Sequence, residues 1–395
     1  LLDISPYVNV VVQTEAELTF AALVDALVHG GDVSNISGVV CREASRQTTQ
    51  KNLYIPHRIT SRPNYDHFFS RFDLFNLPHR ERIWIPFESS RGCWWGEKSQ
   101  CTFCGLHEIM KYRARLADDV LAELDELHIR YGISRFFATD LIMPNEYYND
   151  FLPKLVRYRR DYRFFYEIKP NLTWERVALL SHSGVKDVQP GLESLSTQVL
   201  KAMKKGQTAC QVVQFLRWAA EFKIDPQWNI IVGTPGEDPC ENSFAAKNAR
   251  ALFHLKPPRL IHFELDRFSP IFNTPENYGL SNLRPLSIYK YIFPVPDATL
   301  SNLVYRFEYD DEAWNGLPPW LSGNGDGLNY PAEYNNVIQE WHSAAARSSY
   351  FTATRRHNGL VLEDARFSID ARIIMMEPHE ADLYEVLDTS RARSP

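Results

Sequence analysis

Three cysteines, Cys93, Cys101 and Cys104, fall within twelve positions of a 395-residue chain that holds six in all. Thiolates this close together are metal ligands before they are anything else. A structural zinc or an ordinary electron-transfer cluster fills four protein positions. Three thiolates on a four-iron cluster leave one iron open to bind something else, and an open iron implies substrate or cofactor chemistry. Two plainer alternatives stand beside this one: a zinc site completed by His107, and cysteines that are merely buried. Six cysteines are too sparse for a disulfide scaffold, so a reducing compartment is expected.

These residues need a scaffold, and the sequence around them supplies one. From about 80 to 270, short apolar runs alternate with helical patterns, as in parallel strands joined by crossover helices. The expected strands are Arg82–Phe87, Arg135–Asp140, Arg163–Lys169, Asp187–Glu193, Gln227–Gly233 and Leu260–Phe268. Between them lie helices such as Asp118–Tyr131, with the Asp in capping position and Val120, Leu121, Leu124 and Leu127 on one face. Six such units predict an incomplete β/α barrel. The segment Ser90–Gly105 follows the first strand directly, which puts the cysteines at the C-terminal strand edge, where barrels of this type gather their chemistry.

The flanks read differently. Residues 1–40 predict strand, helix and turn, from the run Val8 to Val12 through Leu18, Ala21, Leu23, Ala26 and Leu27 to Gly30-Gly31. Arg42 to Asn64, with Pro56 and Pro63, reads as a linker. After about 280 come Pro-rich and aromatic stretches (Trp314, Pro318-Pro319-Trp320, the Gly-rich Ser322–Gly327), and the tail from Gly359 to Val386 predicts two short strands and a helix. The expected division is 1–78, 79–285 and 286–395. With 43 basic and 49 acidic residues spread along the chain, there is no stripe to neutralise nucleic acid and no polybasic anchor. No apolar run nears the roughly 20 residues that span a bilayer, so a cytoplasmic protein is expected. The absence of an initiator Met predicts that the chain begins inside a longer protein.

Longer motifs narrow the chemistry. Pro86-Phe87-Glu88-Ser89-Ser90-Arg91-Gly92-Cys93-Trp94-Trp95-Gly96 through Cys104-Gly105-Leu106 resembles the cysteine loop of radical S-adenosylmethionine (SAM) C-methyltransferases that mature ribosomally made peptides. The resemblance continues in order through Phe165–Leu172, Gln189–Leu195, Trp228-Asn229 to Gly233, Pro235-Gly236-Glu237 and Leu265–Pro270, covering roughly residues 80 to 310. It implies a partial (β/α)6 radical SAM barrel, an N-terminal remnant of a cobalamin-binding α/β domain and a small C-terminal α/β module.

It also implies a 4Fe–4S cluster on Cys93, Cys101 and Cys104, with SAM chelated by the open iron. One electron cleaves SAM to a 5′-deoxyadenosyl radical that abstracts hydrogen from an unactivated carbon, and methylation of a precursor peptide follows. An electron donor such as flavodoxin or ferredoxin is implied as partner. The resemblance places Phe103 near the adenine, beside the reading of a core aromatic next to the cluster, and Asp140 at the SAM amine, beside a capping or turn role. Lys169, Glu193, Ser194, Asn229 and Gly233 are further cofactor contacts. Glu193 is the foremost of these, because a charge at a buried strand end needs a partner or a function; a Glu193–Lys169 ion pair is the structural alternative. Glu167 and Asn171 end the third strand, Gly236 joins Gly233 near the adenine, and Asp266 and Arg267 could face substrate. Cys41, Cys210 and Cys240 are expected to be small buried hydrophobes without a role.

Relatives commonly carry cobalamin on a preceding domain. Here Thr14-Glu15-Ala16-Glu17 stands where they usually show Gly-Glu-Gly-Glu, and Thr and Ala do not permit the same close backbone approach. The resemblance thus implies cobalamin for the full-length protein and speaks against it in this chain as given. Two alternatives are a radical peptide epimerase or other cobalamin-independent enzyme, and a degenerate peptide-binding relative without turnover.

Overall fold

A computed structural model describes all residues except 3, 14, 43–58, 60, 108–110, 319–320, 322–331 and 388–395. Most of the expected linker, Thr14 and the Gly-rich stretch lie outside the described residues. The six barrel strands are Ile85–Phe87, Arg135–Ala138, Arg163–Glu167, Val185–Gln189, Asn229–Val232 and Arg259–His262. The first four pair in parallel and in chain order, with Ile85 opposite Phe136, Phe136 opposite Phe164 and Phe165 opposite Asp187. The fifth and sixth form a second parallel pair, Asn229 opposite Arg259. A single parallel bridge, Glu193 to Ile230, joins the two groups. The architecture is a mixed α/β partial barrel.

The core-facing residues of these strands are apolar, while Lys186, Asp187 and Gln189 keep the fourth strand partly polar. Phe87, Phe136, Phe164 and Tyr166 are all buried, and Phe136 stacks on Phe164 with ring centroids 5.7 Å apart. The first crossover helix spans Ala117–Tyr131 and closes on Gly132 in the left-handed region; its cap, Leu116, makes no side-chain bond. Asp118 therefore sits in the first turn instead of capping it. Later helices are capped by side chains: Thr208 and Gln211 form a reciprocal capping box before Ala209–Glu221, and Asp238 caps Pro239–Ala249.

Two boundaries differ from the sequence reading. The expected sixth strand breaks after His262, and Leu265–Asp266 pairs instead with Arg306–Asp311, which also pairs with Leu280–Pro285. A division at 285 would cut this antiparallel sheet. Helix Ala332–Ala346 then returns to the barrel and packs on Pro239–Ala249, its Tyr334, Val337, Ile338 and Trp341 joining the main core. The C-terminal module begins later and has three antiparallel strands, Phe351–Arg356, Gly359–Asp364 and Arg372–Met376, before helix Pro378–Val386. Polar residues dominate Phe351–Arg356, so no apolar alternation marked it as a strand.

At the N-terminus, Val10–Val12 pairs antiparallel with Val39–Cys41 across helix Ala16–His29. Cys41 is buried, but Cys210 and Cys240 are exposed; both stand in the first turns of helices, on the outer side.

His254 lies where the barrel meets the C-terminal sheet, 5.5 Å from the Phe351 ring. Burial, with Arg366 adding, pushes its pKa down to about 4. The folded protein keeps this imidazole neutral while the unfolded chain protonates near 6.5. Stability tied to His254 is therefore complete above about pH 6.5 and falls as the pH drops toward 4. Unfolding midpoints recorded across that window are expected to decline, and His254→Gln is expected to flatten the decline.

Candidate active site

The cysteine loop is fastened at both ends. Upstream, Asp140, at the end of the second strand, accepts the Ser89 backbone N–H at 2.7 Å, the Ser90 hydroxyl at 2.8 Å and the Ser89 hydroxyl. Asp140 is 2% exposed, and burial pushes its pKa up to about 6 against the pull of these donors. Its carboxylate anchors the start of the cysteine loop, the turn role that the sequence left open for it. Downstream, Gln100 donates to the carbonyls of Cys104 and Leu106 at 2.8 and 3.0 Å. Thr102 N–H bonds the Met203 carbonyl, and the Thr102 carbonyl accepts from Ile271. Gly105 is pinned under Tyr305, whose hydroxyl donates to the Gly105 carbonyl at 3.0 Å.

Within the loop Cys93 starts helix Trp94–Ser99, and its sulfur accepts the Gly96 N–H at 3.3 Å. Burial raises the Cys93 thiol and lifts Cys104 to about 11, with the neighbouring thiols raising both further. Such a set is unfavourable as free thiolates and becomes favourable once metal neutralises it. Among the described residues no group of three His, Cys, Asp or Glu side chains is placed to hold a single metal ion. His107 packs its ring edge-on against Phe268 at 4.3 Å. Three thiols on one loop fit a four-iron cluster that takes three protein ligands.

Around the loop stand the strand-end residues. Glu193 adopts a positive φ of 62°, a rare backbone state for a side chain of its size. Its carbonyl accepts from Ile231 at 2.9 Å, forming the bridge between strand groups. Its carboxylate pairs with Lys205 at 3.3 Å, where the sequence had suggested Lys169. Lys169 instead donates to the Lys205 carbonyl at 2.5 Å and lies 3.9 Å from the centre of the Trp95 ring. Glu167 is pushed up to about 7, by burial first and then by Glu193.

Other expected contacts sit less openly. The Ser194 hydroxyl, buried, accepts from Ser196 N–H and organises the turn before helix Thr197–Ala202. Gly233, at φ 76°, gives its N–H to Glu237 at 2.7 Å. Asn229 begins the fifth strand, half-buried. Phe103 packs between the loop and the apolar cluster that includes Met203, Ile271 and Phe307. Asp266 is half-buried, 3.6 Å from Arg306, while Arg267 reaches the Val304 carbonyl at 2.8 Å. Those bonds give Arg267 a structural role.

Sequence reasoning missed Lys205, Ser89, Ser90 and Arg91. Arg91 binds Glu88 at 2.6 Å, Glu15 at 2.7 Å and Glu17, and Arg113 also binds Glu15. These pairs join the N-terminal unit to the cysteine loop. An arginine two residues before the first cysteine was a visible signal; its partners, some 75 residues away in the chain, were not.

A half-barrel with a three-thiol loop at its C-terminal strand edge is an arrangement able to hold an iron–sulfur cluster and a second cofactor. Residues 87–245 match the family model described as the radical SAM superfamily, and a domain of that kind carries a 4Fe–4S cluster and SAM. An uncharacterized methyltransferase of Pyrococcus horikoshii is 27% identical over 255 residues, covering 62% of this chain and 54% of the relative. The chain thus spans about half the length of that relative. In fold the chain is similar to the cobalamin-dependent SAM radical enzyme OxsB, solved with aqua-cobalamin and SAM (TM-score 0.59, 16% identity, 86% of this chain and 55% of that one). It is also similar to the radical SAM methyltransferase TsrM of Kitasatospora setae, solved with cobalamin and a 4Fe–4S cluster (TM-score 0.50, 17% identity, 85% and 77%). No helix among the described residues is long and apolar enough to cross a membrane.

Proposed function

We propose that this chain is the catalytic part of a radical SAM methyltransferase acting on an unactivated carbon of a ribosomally made peptide. One observation carries the reading: three cysteines on one loop at the C-terminal edge of the barrel strands, anchored by Asp140 and Gln100. Cys93, Cys101 and Cys104 would hold the cluster, and Glu193, Lys169, Ser194, Asn229, Gly233 and Phe103 would contact SAM. When bound, these cofactors supply a 5′-deoxyadenosyl radical by one-electron cleavage of the sulfonium.

The protein's own contribution is placement. Asp140 and Gln100 hold the loop, and Glu193 and Lys205 keep opposite charges beside it. The name of the Pyrococcus relative and the fold of TsrM favour methyl transfer, and the peptide substrate rests on the motif resemblance. An external donor of flavodoxin or ferredoxin type would supply the electron.

The test is anaerobic reconstitution with iron and sulfide, then reduction in the presence of SAM. Formation of 5′-deoxyadenosine is the expected result. Methyl-labelled SAM, cobalamin and the chain with its native upstream sequence should then label a precursor peptide. SAM cleavage with deuterium uptake at a peptide α-carbon, and no label transfer, would favour the epimerase. Neither product from an iron-loaded protein would sink the enzymatic reading.

A further inference from the structure

Lys205 is a lysine enclosed by protein, 6% exposed, on the turn after helix Thr197–Ala202 instead of at a strand end. The turn drives it inward: Lys204 and Gly206 both take positive φ, 55° and 64°. Gly206 is required there, because a Cβ would lie 2.2 Å from the Trp95 ring. The Lys205 ammonium stands 3.3 Å from Glu193 Oε1 and 5.6 Å from the centre of the Phe103 ring, and Phe103 separates Cys101 from Cys104. Trp95, two residues after Cys93, donates to the Lys204 carbonyl at 3.3 Å. One short turn therefore touches the loop beside each cysteine. A buried ammonium in such a place is costly unless negative charge faces it. Glu193 supplies one negative charge, and a cluster on the three cysteines would supply more.

Building on the cluster reading above, we propose that Lys205 is a positioning residue that acts electrostatically, fixing the Glu193 carboxylate and raising the reduction potential of the cluster held by the three cysteines. Each electron added to the cluster from an external one-electron donor increases its negative charge, and a fixed nearby cation stabilises that reduced state. Net charge and polar contacts around the sulfurs set such potentials. Glu193 opposes the effect, so the two side chains form a balanced pair whose members tune in opposite directions.

The experiment is a dithionite redox titration of the reconstituted protein, followed by electron paramagnetic resonance, with iron content measured on every sample. Lys205→Met is expected to shift the midpoint to more negative potential at unchanged iron content. Glu193→Gln should shift it to more positive potential. The double variant, which removes one charge of each sign, should return close to wild type, and Lys205→Arg should stay there. Midpoints that coincide across all four variants at full iron content overturn the proposal, as does a double variant that shifts as far as Lys205→Met. If Lys205→Met loses its iron, the absence of a positive shift in Glu193→Gln overturns it instead. A wild-type protein that takes up no cluster takes down the cofactor reading itself, which is a separate and recognisable failure.

Discussion

Cys101→Ala is expected to abolish 5′-deoxyadenosine formation, by more than about 100-fold, and to lower the iron retained after reconstitution. The argument is one of ligand number. A site built on three thiolates has no spare sulfur among its ligands, so losing one leaves two. The fold should survive, because the Cys101 carbonyl, which accepts the Cys104 N–H at 3.1 Å, is backbone and remains. Circular dichroism and thermal unfolding of the metal-free variant should match the metal-free parent. Cys210→Ala and Cys240→Ala provide the contrast: both thiols are exposed on helices outside the loop, and neither change should alter iron content or SAM cleavage. Equal iron retention in Cys101→Ala would remove the basis of the site.

Trp341→Ala is expected to carry the largest stability cost, about 3–5 kcal/mol. The indole is fully buried between Trp228, at 5.9 Å, and Phe253, at 6.1 Å. Its N–H bonds the Leu255 carbonyl at 2.8 Å. Truncation leaves a cavity and strips that carbonyl of its donor. Trp341→Phe keeps most of the packing and should cost only about 1–2 kcal/mol. Gln339→Ala, at an exposed position of the same helix, should fall within about 0.5 kcal/mol of the parent. Urea unfolding of the three variants checks the order. Near-identical midpoints would mean that helix Ala332–Ala346 does not seal the barrel.

That helix shows what local pattern could not reveal. Its apolar stripe, Tyr334, Val337, Ile338 and Trp341, has helical spacing, but spacing does not say which surface it covers. The six barrel strands were legible because their core-facing residues are apolar and the runs are punctuated by caps and turns. The cysteines were legible from type and spacing. Asp140 was found at the right strand end, but its partners, the serines ahead of Cys93, could be known only from three-dimensional register. Lys205 escaped because strand-end reasoning does not search the turn after a helix. Glu193 was singled out by the cost of burying charge; the counter-ion the sequence suggested, Lys169, gives way to Lys205, which is nearer in space.

The guanidinium forks of Arg91 and Arg113 converge on Glu15. Were the first seventeen residues removed, two neighbouring cations flanking the cysteine loop would lose their shared counter-ion, and Arg91 would keep only Glu88. Mutual repulsion would then press on the stretch leading into Cys93. The opening segment of this chain is in that sense a charge-matched brace for the loop, and its grip should loosen as ionic strength rises.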